Sequence, residues 1–465
     1  MIKAEHSSKG KSMKTTLPYF KSYDIRGTAP DQLNTDVAYR IGRAVAGWSG
    51  VEEIVVGRDA RLSSPDLTEA LINGLRDSSV TVLDMGVVTT PMLNYAVARF
   101  ERYGLMITAS HNPKQYNGIK IIDPHVEQVY YGRGLEEIEK LVAENSFKES
   151  RGKGRVLLRS VLDNYEDYLY ERFQDAGLDS LPLVVVDCSN GVGGIPLRVL
   201  ERLGVQHTLL YHIPNGNFPN HECDTLRVEN LQHLQKAVQD LKAGIGVMLD
   251  GDSDRVVFVD EEAKITPLDL VFVLLARQEL EQNKGRMFYD LRFSRVVKEE
   301  IEALEGIPIM LRVGNPFHKE ALHKYPDAIL AAELSGHIMY KEHFGIDDPL
   351  YATLKLLSYL ARTGDSLARQ IKPLKRYAGS GEIRIKTKDP ADLVEKIKTN
   401  FKNGIVTEVD GTTIQYPDWW FNIRPSNTEP VAKLVIEADS AAALEKCRND
   451  VLSVLKDYGG EIETP

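Results

Sequence analysis

Asp250, Asp252 and Asp254 stand at i, i+2 and i+4 in the run DGDSDR, directly behind the apolar stretch Ile245–Leu249. Carboxylates this close repel one another unless positive charge sits among them, and an all-oxygen donor set suits a hard cation such as Mg²⁺. A calcium loop of the EF-hand type is the rival: Asp250, Asp252, Asp254 and Glu261 fall at its positions 1, 3, 5 and 12. It fails twice, because Arg255 stands where that loop needs glycine and both flanks are strand-like rather than helical. A solvated acidic turn remains the plain alternative. A second segment, TASHNPKQYNGIK at 108–120, puts Ser110 between a strand and a loop, with His111 beside it and Lys120 further on. Asn112-Pro113 and Asn117-Gly118 are turn-forming pairs and predict two sharp bends. Ser110 could act there as a nucleophile or as the carrier of a phosphoryl group; a loop serine that only satisfies the backbone is the alternative.

Two further loops complete the set. RPSNTE at 424–429 follows the aromatic run Trp419-Trp420-Phe421 and offers Arg424, Ser426, Asn427 and Thr428. One guanidinium fork with hydroxyls and an amide makes a phosphate grip, while Pro430 and the strand-like run behind it argue against a helix cap. ELSGH at 333–337 supplies Glu333 and Ser335 on a turn at a strand end, suited to vicinal sugar hydroxyls. Metal, reactive serine, basic grip and polar reading loop together describe phosphoryl transfer. Metal-dependent hydrolysis of a phosphoester would use many of the same parts.

These loops need a scaffold of strand ends, and the chain alternates short apolar strands with amphipathic helical stretches, the pattern of parallel sheets covered by helices. Strands are predicted at 54–57, 80–84, 105–109, 183–188, 245–250, 287–290, 309–312 and 329–332, the last three each followed by a helical pattern. After about residue 372 the pattern turns α+β, with strands at 382–387 and 431–438 and helices at 390–401 and 441–458. The resulting division is a disordered tail at 1–17, α/β domains at 18–156, 157–262 and 263–372, and an α+β domain at 373–465. The 465 residues, 43% hydrophobic and 27% charged, are enough for several cores. With 57 Lys plus Arg against 67 Asp plus Glu, the net charge of −10 has the wrong sign for a general nucleic-acid binder or a charge-held membrane protein. No apolar run approaches the roughly 20 residues of a membrane span, and no hydrophobic segment follows the early lysines. Cys188, Cys223 and Cys447 lack C-x-x-C spacing; a reducing, cytoplasmic setting is expected.

With these motifs in this order, together with YDIRG at 23–27, GRD at 57–59, PNGNFPNHECDT at 214–225 and FGIDD at 344–348, the sequence resembles the α-D-phosphohexomutases. The nearest branch is the bacterial phosphomannomutase/phosphoglucomutases, and the resemblance runs from about residue 19 to 458. It implies three similar α/β domains with mixed sheets and a C-terminal α+β domain around a central cleft. It also implies that Ser110 is a phosphoserine whose phosphate completes a Mg²⁺ site with Asp250, Asp252 and Asp254. His111 and Lys120 would assist proton transfer or stabilise charge, and Arg255 would face the transferring phosphate. Tyr23 and Arg26 would line the cleft, Glu333 and Ser335 would hold sugar hydroxyls with His337 close by, and Arg424, Ser426, Asn427 and Thr428 would bind the phosphate that is not transferring. The implied partners are a phosphorylated hexose and hexose 1,6-bisphosphate, with no nucleic acid or membrane, on a monomer or weak homodimer.

Three positions depart from the family's pattern. Ala332 replaces the usual Gly, Arg292 in DLRFSR replaces Lys, and Asn315 in RVGNPF replaces His. Arg292 keeps the charge with different geometry, and Asn315 gives up a titratable ring. Phosphoglucosamine mutase normally has Gln where Leu334 stands, and a non-catalytic phosphosugar binder would not need the serine, metal and phosphate loops intact; these are the two alternatives. His221 and Cys223 lack a partner pair with ligand spacing and read as a structural loop. His212, His318 and His323 read as surface or helix residues, and glycines 191, 193 and 194 as a close strand-to-helix turn.

Overall fold

The structure, a computed structural model, describes residues 17–150, 152–426 and 431–463. The tail expected over 1–17 therefore lies, apart from Leu17, outside the described residues.

Domain I is built on β1 (Ile25–Thr28), β2 (Glu53–Arg58), β3 (Thr81–Val87), β4 (Tyr103–Ile107), β5 (Tyr116–Ile122) and β6 (Val156–Leu158), in the order β1-β5-β4-β2-β3-β6. The run IVV in β2 is apolar on both faces because both are covered. Ile54 and Val56 pack with Ile41 and Leu71 in one buried cluster, while Val55 packs with Leu93 and Val97 in another. Domain II has β7 (Val184–Asp187), β8 (His207–Leu210), β9 (Ile245–Leu249), β10 (Val256–Asp260) and β11 (Ile265–Thr266), ordered β11-β10-β9-β7-β8. Domain III has β12 (Arg286–Asp290), β13 (Ile307–Leu311), β14 (Ala328–Ala332) and β15 (Ile338–Tyr340), ordered β13-β12-β14-β15.

The three sheets share one device. Parallel strands form the body, and one parallel strand then turns straight back into an antiparallel partner: β4 into β5, β9 into β10, β14 into β15. Each hairpin tip is one of the loops singled out in the sequence. This corrects two expectations. The stretch 329–332 is followed by an antiparallel strand, not a helix. Asn117-Gly118 is no turn: it lies inside β5, paired with β1 on one side and β4 on the other. Gly118 is needed for close approach, since a Cβ there would lie 2.4 Å from the Ile25 carbonyl oxygen and 2.7 Å from that of Thr108. Asn117 is fully buried, and its Nδ2 donates to Ser63 and Ser64.

Domain IV consists of β16 (Ala378–Lys386), β17 (Ile405–Thr407), β18 (Thr412–Gln415), β19 (Trp419–Pro425), β20 (Val431–Ala438) and β21 (Glu461–Ile462), antiparallel throughout and ordered β17-β18-β19-β20-β16-β21. The helices Pro390–Ile397 and Ala441–Asp457 lay Leu393, Val451 and Leu455 against Ile385, Phe421 and Leu434. That core is its own, whereas one continuous buried cluster joins Val55 of domain I, Val184 of domain II and Leu330 of domain III. Domain IV meets domain III through polar contacts such as Arg295 with Glu437 and Asp439. Among the described residues no helix is long and apolar enough to cross a membrane.

Candidate active site

The tip between β4 and β5 holds Ser110 in the left-handed region at φ 50°, a conformation that costs energy for a residue with a Cβ. The fold over-determines it. Ser110 N donates to Thr108 Oγ1 at 2.9 Å, and Arg26 Nη1 donates to the Ala109 carbonyl and, at 2.6 Å, to Asn112 Oδ1. From below comes Arg61, fully buried. Its Nη2 donates to the carbonyls of Ser110 and Asn112, its Nη1 to those of Pro113 and Tyr116, and its Nε to Asp59. One guanidinium thus gathers three carbonyls of the tip and that of Tyr116 at the start of β5.

The tip between β9 and β10 lies against this turn. Ser110 Oγ donates to Asp250 Oδ2 at 2.6 Å, and Lys120 Nζ from β5 reaches Asp252 Oδ2 at 2.6 Å and Asp254 Oδ2 at 2.5 Å. Thr90, at the start of the helix Thr90–Phe100, donates its N–H to the Asp252 carbonyl and its hydroxyl to Asp252 Oδ2. Close approach again needs glycine: a Cβ on Gly251 would sit 2.6 Å from the Ser110 carbonyl oxygen, and one on Gly191 would sit 2.5 Å from the Gly251 carbonyl. Gly191 therefore does more than tighten a turn; it lets the segment after β7 support the acidic tip. Cys223 lies in the same packing, with Sγ 3.4 Å from the Ser110 carbonyl oxygen, and His221 pairs with Asp187 at 3.0 Å. Neither belongs to a metal-ligand group among the described residues.

The three aspartates are buried, and their ligand atoms lie within 4.8 Å of one another. Oδ1 of Asp252 and Oδ1 of Asp254 are buried without hydrogen-bond partners among the described residues. Burial, then the charges of Asp252 and Asp254, push Asp250 well above the ordinary carboxylate range. On Asp254 burial acts upward too, but Lys120 and His337 outweigh it and the net shift is down. Lys120 is the mirror case: burial acts downward, the two aspartates win, and the ammonium stays charged. Lys120 pairs with two of the three carboxylates, and a divalent cation fits the two oxygens left buried without hydrogen-bond partners. His111 is different. Burial, then Arg255 and Arg26, hold it well below the usual imidazole range, so it is neutral, with Nδ1 3.3 Å from Ser110 Oγ.

The tip between β14 and β15 closes over the acidic one, Val256 N donating to the Gly336 carbonyl. Ser335 Oγ donates to Glu333 Oε1 at 2.7 Å. His337 Nδ1 lies 3.9 Å from Asp254 Oδ1 and 3.2 Å from Asp347 Oδ2. Asn315 Nδ2 sits between the last two, 3.0 Å from His337 Nδ1 and 2.5 Å from Asp347 Oδ2, and Lys319 pairs with Asp347 at 2.7 Å. The amide at 315 thus turns into a buried polar cluster. Ala332 is fully buried in β14 opposite Ile338. Arg292 grips Asp290 with both Nε and Nη2, and its Nη2 lies 3.4 Å from Glu333 Oε1. Arg255 Nε is 4.0 Å from Asp254 Oδ1, and Tyr23 OH donates to the Val313 carbonyl at 3.4 Å.

Arg424 lies one residue before the end of β19 with its side chain buried, and Nη2 donates to Glu382 Oε2 at 2.5 Å. Ser426 N donates to the Val431 carbonyl; Asn427 and Thr428 lie outside the described residues. Arg424 joins the other site residues through Glu382 and Arg292, with no contact to Ser110 among the described residues.

Comparison with known proteins accounts for nearly the whole chain. Four successive stretches match the domains of one family: phosphoglucomutase/phosphomannomutase alpha/beta/alpha domain I at 17–149, domain II at 163–263, domain III at 268–377, and the C-terminal domain at 382–454. A phosphomannomutase/phosphoglucomutase of Pseudomonas syringae pv. tomato is 34% identical over 458 residues, 96% of this chain and 97% of that protein. The chain belongs to the phosphoglucomutase/phosphomannomutase family. A phosphoglucomutase of Neisseria gonorrhoeae is 35% identical over 454 residues, 95% of this chain and 97% of its own. The crystal structure of a phosphoglucomutase/phosphomannomutase family protein from Burkholderia thailandensis superposes with a TM-score of 0.88 at 33% identity, covering 96% of this chain and 99% of that one.

As a phosphoglucomutase/phosphomannomutase family member, the chain brings together three hairpin tips, those of Ser110, Asp250–Asp254 and Glu333–His337, on one shared core. Sequence reasoning missed Arg61, Thr90, Asp347 and Lys319, which support those tips, and Glu382, which pairs with Arg424 and Arg292. Arg61 follows the strand-ending GRD by two residues, and in α/β sheets such carboxyl-end loops carry ligands. That rule points to the place but not to the four carbonyls it holds.

Proposed function

We propose that the chain interconverts hexose 1-phosphates and hexose 6-phosphates, with mannose and glucose as its sugars, and that Ser110 carries the phosphoryl group between turnovers. The observation that carries this reading is Ser110 Oγ at 2.6 Å from Asp250 with Lys120 locked across Asp252 and Asp254. In the phosphorylated enzyme, the Ser110 O–P bond breaks as the free hydroxyl of the sugar phosphate forms its own O–P bond. The hydroxyl proton passes to neutral His111 and from it to the departing Ser110 oxygen, 3.3 Å from its Nδ1, while Lys120 is held as a fixed positive charge. The resulting bisphosphate turns over in the cleft and returns its other phosphoryl group to Ser110, leaving the isomer. Asp250, Asp252, Asp254 and Ser110 would hold Mg²⁺, which supplies charge neutralisation and Lewis acidity to phosphoryl transfer. Arg255 and Arg26 face the same turn, Glu333 and Ser335 hold sugar hydroxyls, and Arg424, Ser426, Asn427 and Thr428 hold the stationary phosphate.

Domain IV has its own core and polar contacts to domain III, which supports its swinging as a unit to shut out water that would hydrolyse the phosphoserine. Three free, buried cysteines are in keeping with a reducing cytoplasm. A coupled assay with mannose, glucose and glucosamine 1-phosphates tests the reading: turnover of the first two is expected, and inactivity toward all three contradicts it. Preference for the amino sugar would favour the glucosamine alternative.

Arg424→Ala should raise KM for the sugar phosphate about 30-fold, the worth of one charge-assisted bond. Lys433 and Arg292 remain on Glu382, so the thermal midpoint should move little. Steady-state kinetics beside a melting curve checks both; an unchanged KM removes Arg424 from the grip.

A further inference from the structure

One carboxylate of domain IV contacts both Arg424 of its own domain and Arg292 of domain III. Glu382, at the β16 irregularity between Gly379 and Glu382, has Oε2 2.5 Å from Arg424 Nη2 and 3.7 Å from Arg292 Nη1, with Oε1 3.0 Å from Lys433 Nζ. Arg292 in turn grips Asp290 and reaches Glu333. An unbroken line of ionic contacts therefore runs from the sugar loop to the phosphate grip. Asp410 flanks Arg424 on another edge, 4.0 Å from Nε, while accepting from Val313 N of domain III at 3.2 Å. What is left of the guanidinium is Nη1, which is buried and has no hydrogen-bond partner among the described residues. A fold retains an unpaired buried N–H of this kind where something else completes it.

We propose that Glu382 is a positioning residue: it fixes Arg424 with Nη1 presented to the stationary phosphate and, through Arg292, ties that presentation to closure of domain IV on the sugar loop. The proposal rests on the mutase reading above. It competes with a simpler role, in which the carboxylate merely stands in for the phosphate and must be displaced by it. The two roles predict opposite signs. A stand-in that leaves improves substrate binding when removed, whereas a positioning group weakens it.

The test is steady-state kinetics of Glu382→Gln and Glu382→Asp in the full chain with glucose 1-phosphate. Calorimetric binding of the same compound to Ser110→Ala, with and without Glu382→Gln, accompanies it. Positioning predicts KM raised about tenfold in Glu382→Gln, kcat changed less, binding weakened in parallel, and partial rescue in Glu382→Asp. Should the amide variant not fold, Glu382→Asp alone must still raise KM, by about threefold. An unchanged or lowered KM overturns the proposal. A parent enzyme inactive on every hexose phosphate would defeat the mutase reading instead, so the two failures are distinguishable.

Discussion

Ser110→Ala is expected to lose turnover by about 10⁴-fold or more while folding as the parent does, because a mutase without its phosphoryl carrier keeps binding but has no transfer step. The alanine removes one hydroxyl that donates only to Asp250, while the backbone that places residue 110 is held by other groups: Thr108, Arg26 and Arg61. The loss should therefore fall on kcat with little change in KM or melting temperature. Intact-mass spectrometry of the parent should find one phosphate, and the variant none. Phosphate persisting in Ser110→Ala, or near-parental turnover, would assign the carrier to another residue.

Asp252→Asn carries the second large effect. Asp252 is where domains I and II are tied at the site: its carboxylate accepts from Lys120 and Thr90 while its other oxygen is buried and unpartnered. The amide keeps the shape but removes a negative charge that a divalent cation and Lys120 both require. A fall in kcat of about 10³-fold is expected, the scale of losing a preorganised electrostatic group. Chelation of the parent with EDTA should produce comparable inactivation, reversed by added Mg²⁺. Full activity after exhaustive chelation would show that Lys120 alone supplies the positive charge.

How much of this is legible in the sequence depends on how local each feature is. Asp250, Asp252 and Asp254 lie within five residues between two apolar runs, so strand-like flanks and a carboxylate cluster suited to a hard cation can be read from the sequence, while a solvated acidic turn stays open there. Ser110 is legible as a strand-end serine. Asn117-Gly118 misleads because the turn rule concerns the backbone alone, whereas pairing with β1 and β4 decides this strand and Gly118 is there for lack of space. Arg61 and Glu382 are not legible as site residues. Arg61 reaches carbonyls some 50 positions away, and Glu382 meets Arg292 from a separate domain, so their partners exist only once the sheets are placed. Asn315 shows the same limit: the sequence shows a lost ring, while the structure shows an amide joining His337 to Asp347.

The central claim is that the phosphoryl group is passed and returned, never released to water. Phosphorus NMR of the enzyme with glucose 1-phosphate and Mg²⁺ tests it most directly. The 1-phosphate resonance should give way to that of the 6-phosphate, with a trace of bisphosphate and no growth of inorganic phosphate. Accumulating inorganic phosphate in place of the 6-ester would make the protein a phosphatase and contradict the account.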